Sequence, residues 1–439
     1  MSILIKNGRV LNPASKTDAI LDILTEDSKI VQIAERIESQ DADMIIDASG
    51  CYVMPGLIDM HVHLRDPGLT YKETLETGTA AAVHGGFTTI VAMANTIPVI
   101  DDAEKLTQFY KHADKVSPIQ VLQVGSVTKG MAGHELTNAE ELKKAGAPAL
   151  SEDGKTVMDA ALFRKALYRA AALDIPILNH CEDAGLKGDG VVNQGNVSEK
   201  LHLTGISNAV EDTIMARDIL LAKEAGARLH ICHCSTADSV KILLAARKDG
   251  IHVTAEVCPH HFTLTDEDII PEDSNYKMAP PLRTRNDVNA LIEGLKNGAI
   301  DVISSDHAPH AASEKTSDIT SAAFGIVGLE TSVPLTISEL VIPGHLTPLQ
   351  MAEKMSYNPA RILGIDKGVL AVGKDADITI INPGIEFTID KETFKSMGRN
   401  TPFHQRKVHG KVMYTIYNGR LALTGNKAGY DQVLNHHLC

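Results

Sequence analysis

Two histidines one residue apart, His61 and His63, end the apolar run Tyr52-Val53-Met54-Pro55-Gly56-Leu57-Ile58. An extended strand sends alternate side chains to one face, so both imidazoles share a face and Val62 takes the other. Two imidazoles at a strand end make a site for zinc or a similar metal. The pattern recurs downstream, with ligand-type residues at the ends of further apolar runs. Glu152-Asp153-Gly154 follows 147–151, His180 follows 175–179, His233 follows 228–232, and Asp306-His307-Ala308-Pro309-His310 follows 301–305. His61, His63, Asp153, His180, His233 and Asp306 are too many ligands for one tetrahedral zinc, and they suit two metals sharing a bridging carboxylate. Such a pair, about 3.5–4 Å apart, holds a hydroxide that attacks without serine or cysteine chemistry. No Gly-x-Ser-x-Gly elbow competes with that reading.

Some neighbours compete for the same roles. His230 and His233 lie on opposite faces of their strand, and His233, nearer its end, is the preferred ligand. His260 and His261 read as structural or supporting groups. Cys232-His233-Cys234 looks like a metal motif, yet on a strand both thiols point away from His233, so the cysteines read as core.

Strand ends become a site only if a fold gathers them. Eight candidate strands, 53–60, 87–93, 119–127, 147–151, 175–179, 228–232, 252–258 and 301–305, alternate with helical stretches such as 156–173, 209–225, 238–248 and 286–296. Gly85-Gly86 and Gly226 suit helix C-caps, and Asn138 with Glu141 resembles a capping box. Eight β/α units predict a TIM (β/α)8 barrel over 53–365, whose chemistry collects at the C-terminal strand ends. A doubly wound sheet would carry a glycine phosphate loop after its first strand, where this chain has histidines. The stretches 1–52 and 366–439 are β-like, with Asn-Gly turn signals at Asn7-Gly8 and Asn418-Gly419. They predict one composite β-sandwich domain built from both termini. Gly368-Val369-Leu370-Ala371-Val372-Gly373-Lys374-Asp375 imitates a phosphate loop, but Asp375 stands where a hydroxyl belongs and no helix-forming stretch follows.

Composition sets outer limits. The 439 residues are 44% hydrophobic and 22% charged, as in ordinary globular chains. A net charge of −14 and the absence of Trp argue against a nucleic-acid partner. An anionic substrate would have to be drawn by local charge. No apolar stretch reaches the ~20 residues of a membrane span, and no signal peptide is read. The six cysteines (51, 181, 232, 234, 258, 439) lack a disulfide spacing, so a reduced, cytoplasmic protein is expected.

The run Asp59-Met60-His61-Val62-His63-Leu64-Arg65-Asp66-Pro67-Gly68 resembles the signature of class I dihydroorotases, in the amidohydrolase superfamily. The resemblance continues through Met93-Ala94-Asn95-Thr96, Asn179-His180-Cys181-Glu182, Glu256-Val257-Cys258-Pro259-His260-His261, Tyr276 to Arg283, Ser305 to His310 and Phe324 to Glu330, and it covers essentially the whole chain. It implies the barrel and the composite β domain. It implies reversible interconversion of L-dihydroorotate and N-carbamoyl-L-aspartate in pyrimidine synthesis. It implies two zinc ions, one on His61, His63 and Asp306, the other on His180 and His233, bridged by Asp153 and hydroxide. Asp306 would also be the general acid/base.

Arg65 is the natural bidentate partner for the substrate carboxylate. Its alternative is an ion pair with Asp66 or another acid. By resemblance Asn95 and His310 complete that pocket with His63, and the backbone at Phe324 and Gly325 meets the ring amide. The family usually has Asn where this chain has Ala279, so one substrate hydrogen bond is altered there. It often has Asp where this chain has Glu152. The segment 310–323 reads as a loop able to close over the site. A homodimer and an association with aspartate carbamoyltransferase are expectations of the same kind. The rivals are another cyclic amidohydrolase, such as a dihydropyrimidinase or allantoinase, and a non-catalytic subunit scaffolding aspartate carbamoyltransferase. The first group usually bridges its metals with a carboxylated lysine, where this chain has Asp153, and has no need of Arg65. The second has lost metal ligands.

Overall fold

The structure, a computed structural model, describes residues 1–38 and 42–422. The end of the expected 366–439 segment, with Cys439, lies outside the described residues. The chain is α/β. Its central strands are β1 (Leu57–Val62), β2 (Phe87–Ala92), β3 (Gln120–Gln123, continued by Gly125–Ser126), β4 (Leu150–Ser151), β5 (Ile177–Asn179), β6 (Leu229–Ile231), β7 (Val253–Val257) and β8 (Val302–Ile303). Each falls within its expected stretch except β1, which runs on to Val62. Every neighbouring pair is parallel: β1 with β2 and β2 with β3, then Gly125–Ser126 with β4 and on in sequence to β8. Beyond β8, a parallel bridge joins His307 to Val62 at the end of β1, and His63 N–H donates to His307 O at 2.8 Å.

The parallel strands are apolar on both faces because helices cover them. Residues of β1 and β2 are buried throughout. Intervening helices include Ala160–Ala172, Ala209–Ala225, Ala237–Lys248 and Arg285–Asn297, close to the expected stretches. Gly226 caps its helix in the left-handed conformation (φ 63°), as expected of a C-cap glycine. Gly85 caps the helix Leu75–His84 without leaving the right-handed region. The Asn138 side chain accepts from Glu141 N at 3.3 Å, but the return bond of a capping box is not made among the described residues.

Both termini contribute to one eight-stranded sheet. Its order is Arg420–Leu421, Lys407–Tyr417, Ile378–Thr388, Tyr52–Pro55, Ser2–Asn12, Thr17–Glu26 and Lys29–Ala34, with Met44–Asp47 also pairing with Ser2–Asn12. Ile3, Ile5, Val10, Ile23, Val53, Ile378, Ile380 and Ile416 form its core. Each buried aliphatic side chain contributes about 1.5–3 kcal/mol.

The strand expected over 53–60 is two strands. Tyr52–Pro55 belongs to the terminal sheet and β1 to the parallel set, with Gly56 between. A Cβ on Gly56 would lie 2.1 Å from Thr88 Oγ1, so only glycine lets the chain pass there. The two Asn-Gly signals diverge. Asn418 and Gly419, at φ 47° and 70°, connect Lys407–Tyr417 to Arg420–Leu421 in a two-residue hairpin. Asn7, at φ 59°, turns nothing: it sits at a bulge inside Ser2–Asn12, where the pairing shifts between Ile5 and Gly8. The phosphate-loop imitation at 368–375 is a series of turns leading into a strand, with Lys374 paired to Asp366 and Asp375 to Lys29. No described helix is long and apolar enough to cross a membrane.

Candidate metal centre and substrate cavity

β1 carries His61 and delivers His63 one residue past its end, while Asp153, His180, His233 and Asp306 follow β4, β5, β6 and β8 within three residues. The six side chains meet. His61 Nε2 lies 3.3 Å from Asp153 Oδ1 and 3.6 Å from Asp306 Oδ1. His63 Nε2 lies 3.4 Å from Asp153 Oδ2 and 3.1 Å from Asp306 Oδ1. His180 Nδ1 and His233 Nε2 approach Asp153 Oδ1 to 3.3 and 3.5 Å, and each other to 2.9 Å. Two donor sets result, His61/His63/Asp306 and Asp153/His180/His233, all buried.

Neighbouring groups fix which ring atom is offered. His61 Nδ1 pairs with Glu256 Oε1 at 2.7 Å, and His63 Nδ1 with Asn95 Oδ1 at 3.0 Å. An imidazole that donates through Nδ1 presents the Nε2 lone pair on its other side. His61 Nε2 and Asp153 Oδ1 are buried without any hydrogen-bond partner. Buried polar atoms are seldom left bare, and here both are ligand atoms aimed into the cluster. The residues therefore fit a metal centre. Arg65, His233 and Asp306 take left-handed φ of 60°, 33° and 49°, conformations costly for side-chain-bearing residues and concentrated at functional sites.

The electrostatics follow from burial and pairing. Burial works against ionisation of Asp306, but His61 and His63 override it and hold the carboxyl below its ordinary range. Burial also opposes protonation of His180, yet Asp153 and Glu182 raise it to about 9. Asp59, fully buried, is pushed up to about 7 by desolvation while accepting from Ser305 N and His61 N, both at 3.0 Å. Asp306 is thus held in its ionised form.

A cavity of about 230 Å³ opens over the cluster. Of the twelve residues expected to form the site, all but His61 line it, including Arg65, Asn95, Ala279, His310, Phe324 and Gly325. His61 lies wholly buried beneath. Arg65 makes no ion pair with Asp66 among the described residues. Its Nε donates to Pro309 O at 3.2 Å and its Nη2 lies 3.5 Å from His310 Nε2. Burial, with Arg65 and Lys72, pushes His310 down to about 3, so its neutral ring donates through Nε2 to Phe324 O at 2.9 Å. Asn95 Oδ1 serves His63, and Nδ2 donates one of its two hydrogens to Asp153 O at 3.2 Å. Gly325 has φ 120°, and its N–H is committed to Lys277 O. Glu314 is held by Lys72 at 2.8 Å and Tyr71 at 3.1 Å, tethering the 310–323 segment.

A dihydro-orotase-like family profile matches residues 50–239. The dihydroorotases of Acetivibrio thermocellus and Pelotomaculum thermopropionicum are 47% and 48% identical to this chain, each over 96% of it and 99% of their own length. The chain belongs to the dihydroorotase family. Solved structures of similar shape are L-hydantoinase (dihydropyrimidinase) from Arthrobacter aurescens, 28% identical with a TM-score of 0.84, and dihydropyrimidinase from Brevibacillus agri, 27% identical with a TM-score of 0.82. The first match covers 95% of both chains, the second 96% of this chain and 95% of that one.

Within this dihydroorotase-family site, sequence reasoning gave no role to several contributors. Glu256, fully buried, bonds His61 and also His230, at 3.2 Å. His230 completes its own bonding with Thr254 at 2.9 Å, so His233 is the histidine at the centre. Glu182 and Lys187 line the cavity. A charged residue inside an apolar strand was the available signal for Glu256, whereas Lys187 is distant in sequence from every motif. Cys232 and Cys234 are core residues as expected, but Cys232 also offers its sulfur within 4.8 Å of ligand atoms of His61 and Asp153. His260 and His261 are buried, and His261 Nε2 donates to Pro280 O at 3.0 Å.

Proposed function

We propose that the chain is a dihydroorotase, interconverting L-dihydroorotate and N-carbamoyl-L-aspartate, and that the cluster holds two zinc ions. The carrying observation is that the Arg65 guanidinium lines the same small cavity as the histidine–carboxylate cluster. A cyclic amide bearing a carboxylate needs both. His61, His63 and Asp306 would hold one metal, His180 and His233 the other, with Asp153 between. Bound there, the metals would supply Lewis acidity and lower the pKa of water. Arg65 binds the substrate carboxylate, with His310 beside it, and Phe324 and Gly325 bound the ring. In ring opening Asp306 takes a proton from the attacking water. It returns that proton to the ring nitrogen as the C–N bond breaks, and ring closure reverses both transfers.

The proposal extends to architecture. The parallel strands, joined through the Val62–His307 bridge, form a (β/α)8 barrel over 57–365, and the described residues of 1–55 and 366–422 form the composite β-sandwich domain. A cytoplasmic homodimer that associates with aspartate carbamoyltransferase belongs to the same reading. The test is L-dihydroorotate hydrolysis by the purified protein, with metal counted on the same sample. Turnover with two metals per chain, lost on chelation and restored by zinc, is the expected result. Metal without dihydroorotate turnover would direct attention to another cyclic amide.

A further inference from the structure

Two of the cluster histidines have their outer ring nitrogen fixed by a strong acceptor. For His61 it is Glu256 at 2.7 Å, and for His63 it is Asn95 at 3.0 Å. His180 is arranged the other way round. Its Nδ1 faces Asp153 and His233, so Nε2 is the outer nitrogen. The carboxylate near that nitrogen is Glu182, with Oε2 at 3.9 Å. Glu182 is in turn held by Lys187 Nζ at 2.7 Å, both side chains being largely buried. The Lys187 ammonium stands 4.4 Å from the centre of the Phe324 ring. Lys277 stands at 4.4 Å from the same ring. Phe324 is a wall of the cavity, and its carbonyl accepts from His310 beside Arg65. A continuous set of contacts thus runs from a metal-facing imidazole to the carboxylate-binding end of the cavity.

We propose that Glu182 and Lys187 are a positioning pair. Glu182, in ion-pair contact with the outer nitrogen Nε2, orients the His180 ring so that Nδ1 faces the cluster. Lys187 anchors that carboxylate and ties it to the Phe324 wall. A carboxylate beside the outer nitrogen of a metal-binding imidazole fixes the orientation of the ring, and at 3.9 Å Glu182 does so as an ion-pair contact longer than a hydrogen bond. An ammonium over the half-buried Phe324 ring adds a directional contact that a neutral side chain cannot replace. The pair rests on the metal-dependent reading above.

The experiment uses the full-length protein loaded with zinc. It measures the rate of zinc release to a chromogenic chelator, and kcat and KM for L-dihydroorotate, in wild type and in Glu182→Gln, Lys187→Met and Lys187→Arg. Glu182→Gln is expected to release zinc about 10- to 100-fold faster. Lys187→Met raises KM more than it lowers kcat and speeds release less, and Lys187→Arg restores KM. If Glu182→Gln does not fold, Glu182→Asp carries the same measurement. Release from the Glu182 variant at the wild-type rate, or an unchanged KM in Lys187→Met, would overturn the pair while leaving an active wild type intact. A wild type that takes up no zinc would overturn the metal-dependent reading, and the pair with it.

Discussion

Replacing Arg65 by Met keeps an unbranched stem in the same cavity and removes only the guanidinium. Arg65 Nε is already donated to Pro309 O, so the Nη edge is what remains for a substrate carboxylate. A hydrogen bond to a charged group contributes about 1.5–3 kcal/mol, and an end-on bidentate pair makes two. Partial access of solvent to the cavity argues for the lower half of that sum, about 3 kcal/mol. At 1.4 kcal/mol per factor of ten, kcat/KM for L-dihydroorotate should fall on the order of 100-fold. The assay is steady-state hydrolysis of L-dihydroorotate beside 5,6-dihydrouracil, the ring without the carboxylate, with zinc counted in both proteins. Wild type should strongly prefer the carboxylate-bearing ring. The variant should lose that preference while its weak activity on dihydrouracil and its zinc content stay as in wild type. Equal losses on both rings, or loss of zinc, would show that Arg65 supports the cluster rather than the carboxylate, and the reasoning would fail.

Asp306→Ala should abolish turnover, and retained hydrolysis would remove Asp306 from its proton-transfer role. Gly325→Ala places a Cβ 2.7 Å from the Ala308 Cβ at a φ of 120°, so a stability loss of about 1–3 kcal/mol is expected by denaturant titration. Lys315 supplies a pH test. Burial, reinforced by Lys277, depresses it to about 7 from an ordinary 10.5. Between those values the unfolded chain binds the extra proton, so this group makes stability rise as pH rises from about 7 towards 10. Melting curves of wild type should show that rise relative to Lys315→Met, and parallel curves would refute it.

The cluster was legible because its residues obey a positional rule that survives without coordinates. His180, His233 and Asp306 each follow an apolar run, and parallel strands present their C-terminal ends together. The helices were legible for a similar reason, since the period and the caps are local. What failed was whatever depended on a distant partner. Asn7-Gly8 and Asn418-Gly419 carry the same turn chemistry, yet only the second joins two antiparallel strands, because the first lies where Ser2–Asn12 is held by strands on both sides. The run 53–60 reads as one strand, and only Thr88, pressed against Gly56 from another strand, shows why the chain changes sheet there.

The same limit separates the ligands from the residues that aim them. A ligand is marked by its type and its place at a strand end. Glu256 and Asn95 are marked only by the imidazoles they reach, 195 and 32 residues away in sequence. Yet those two decide which nitrogen His61 and His63 offer, and hence whether six well-placed side chains are six lone pairs or a knot of mutual hydrogen bonds. The bare His61 Nε2 and Asp153 Oδ1 show that the aiming groups are satisfied elsewhere and the ligand atoms are left over. Among the described residues, that surplus of buried, unpartnered donor atoms is the physical ground for a metal-dependent site, and it exists only once the strands, the φ-strained loops and the distant carboxylates are assembled together.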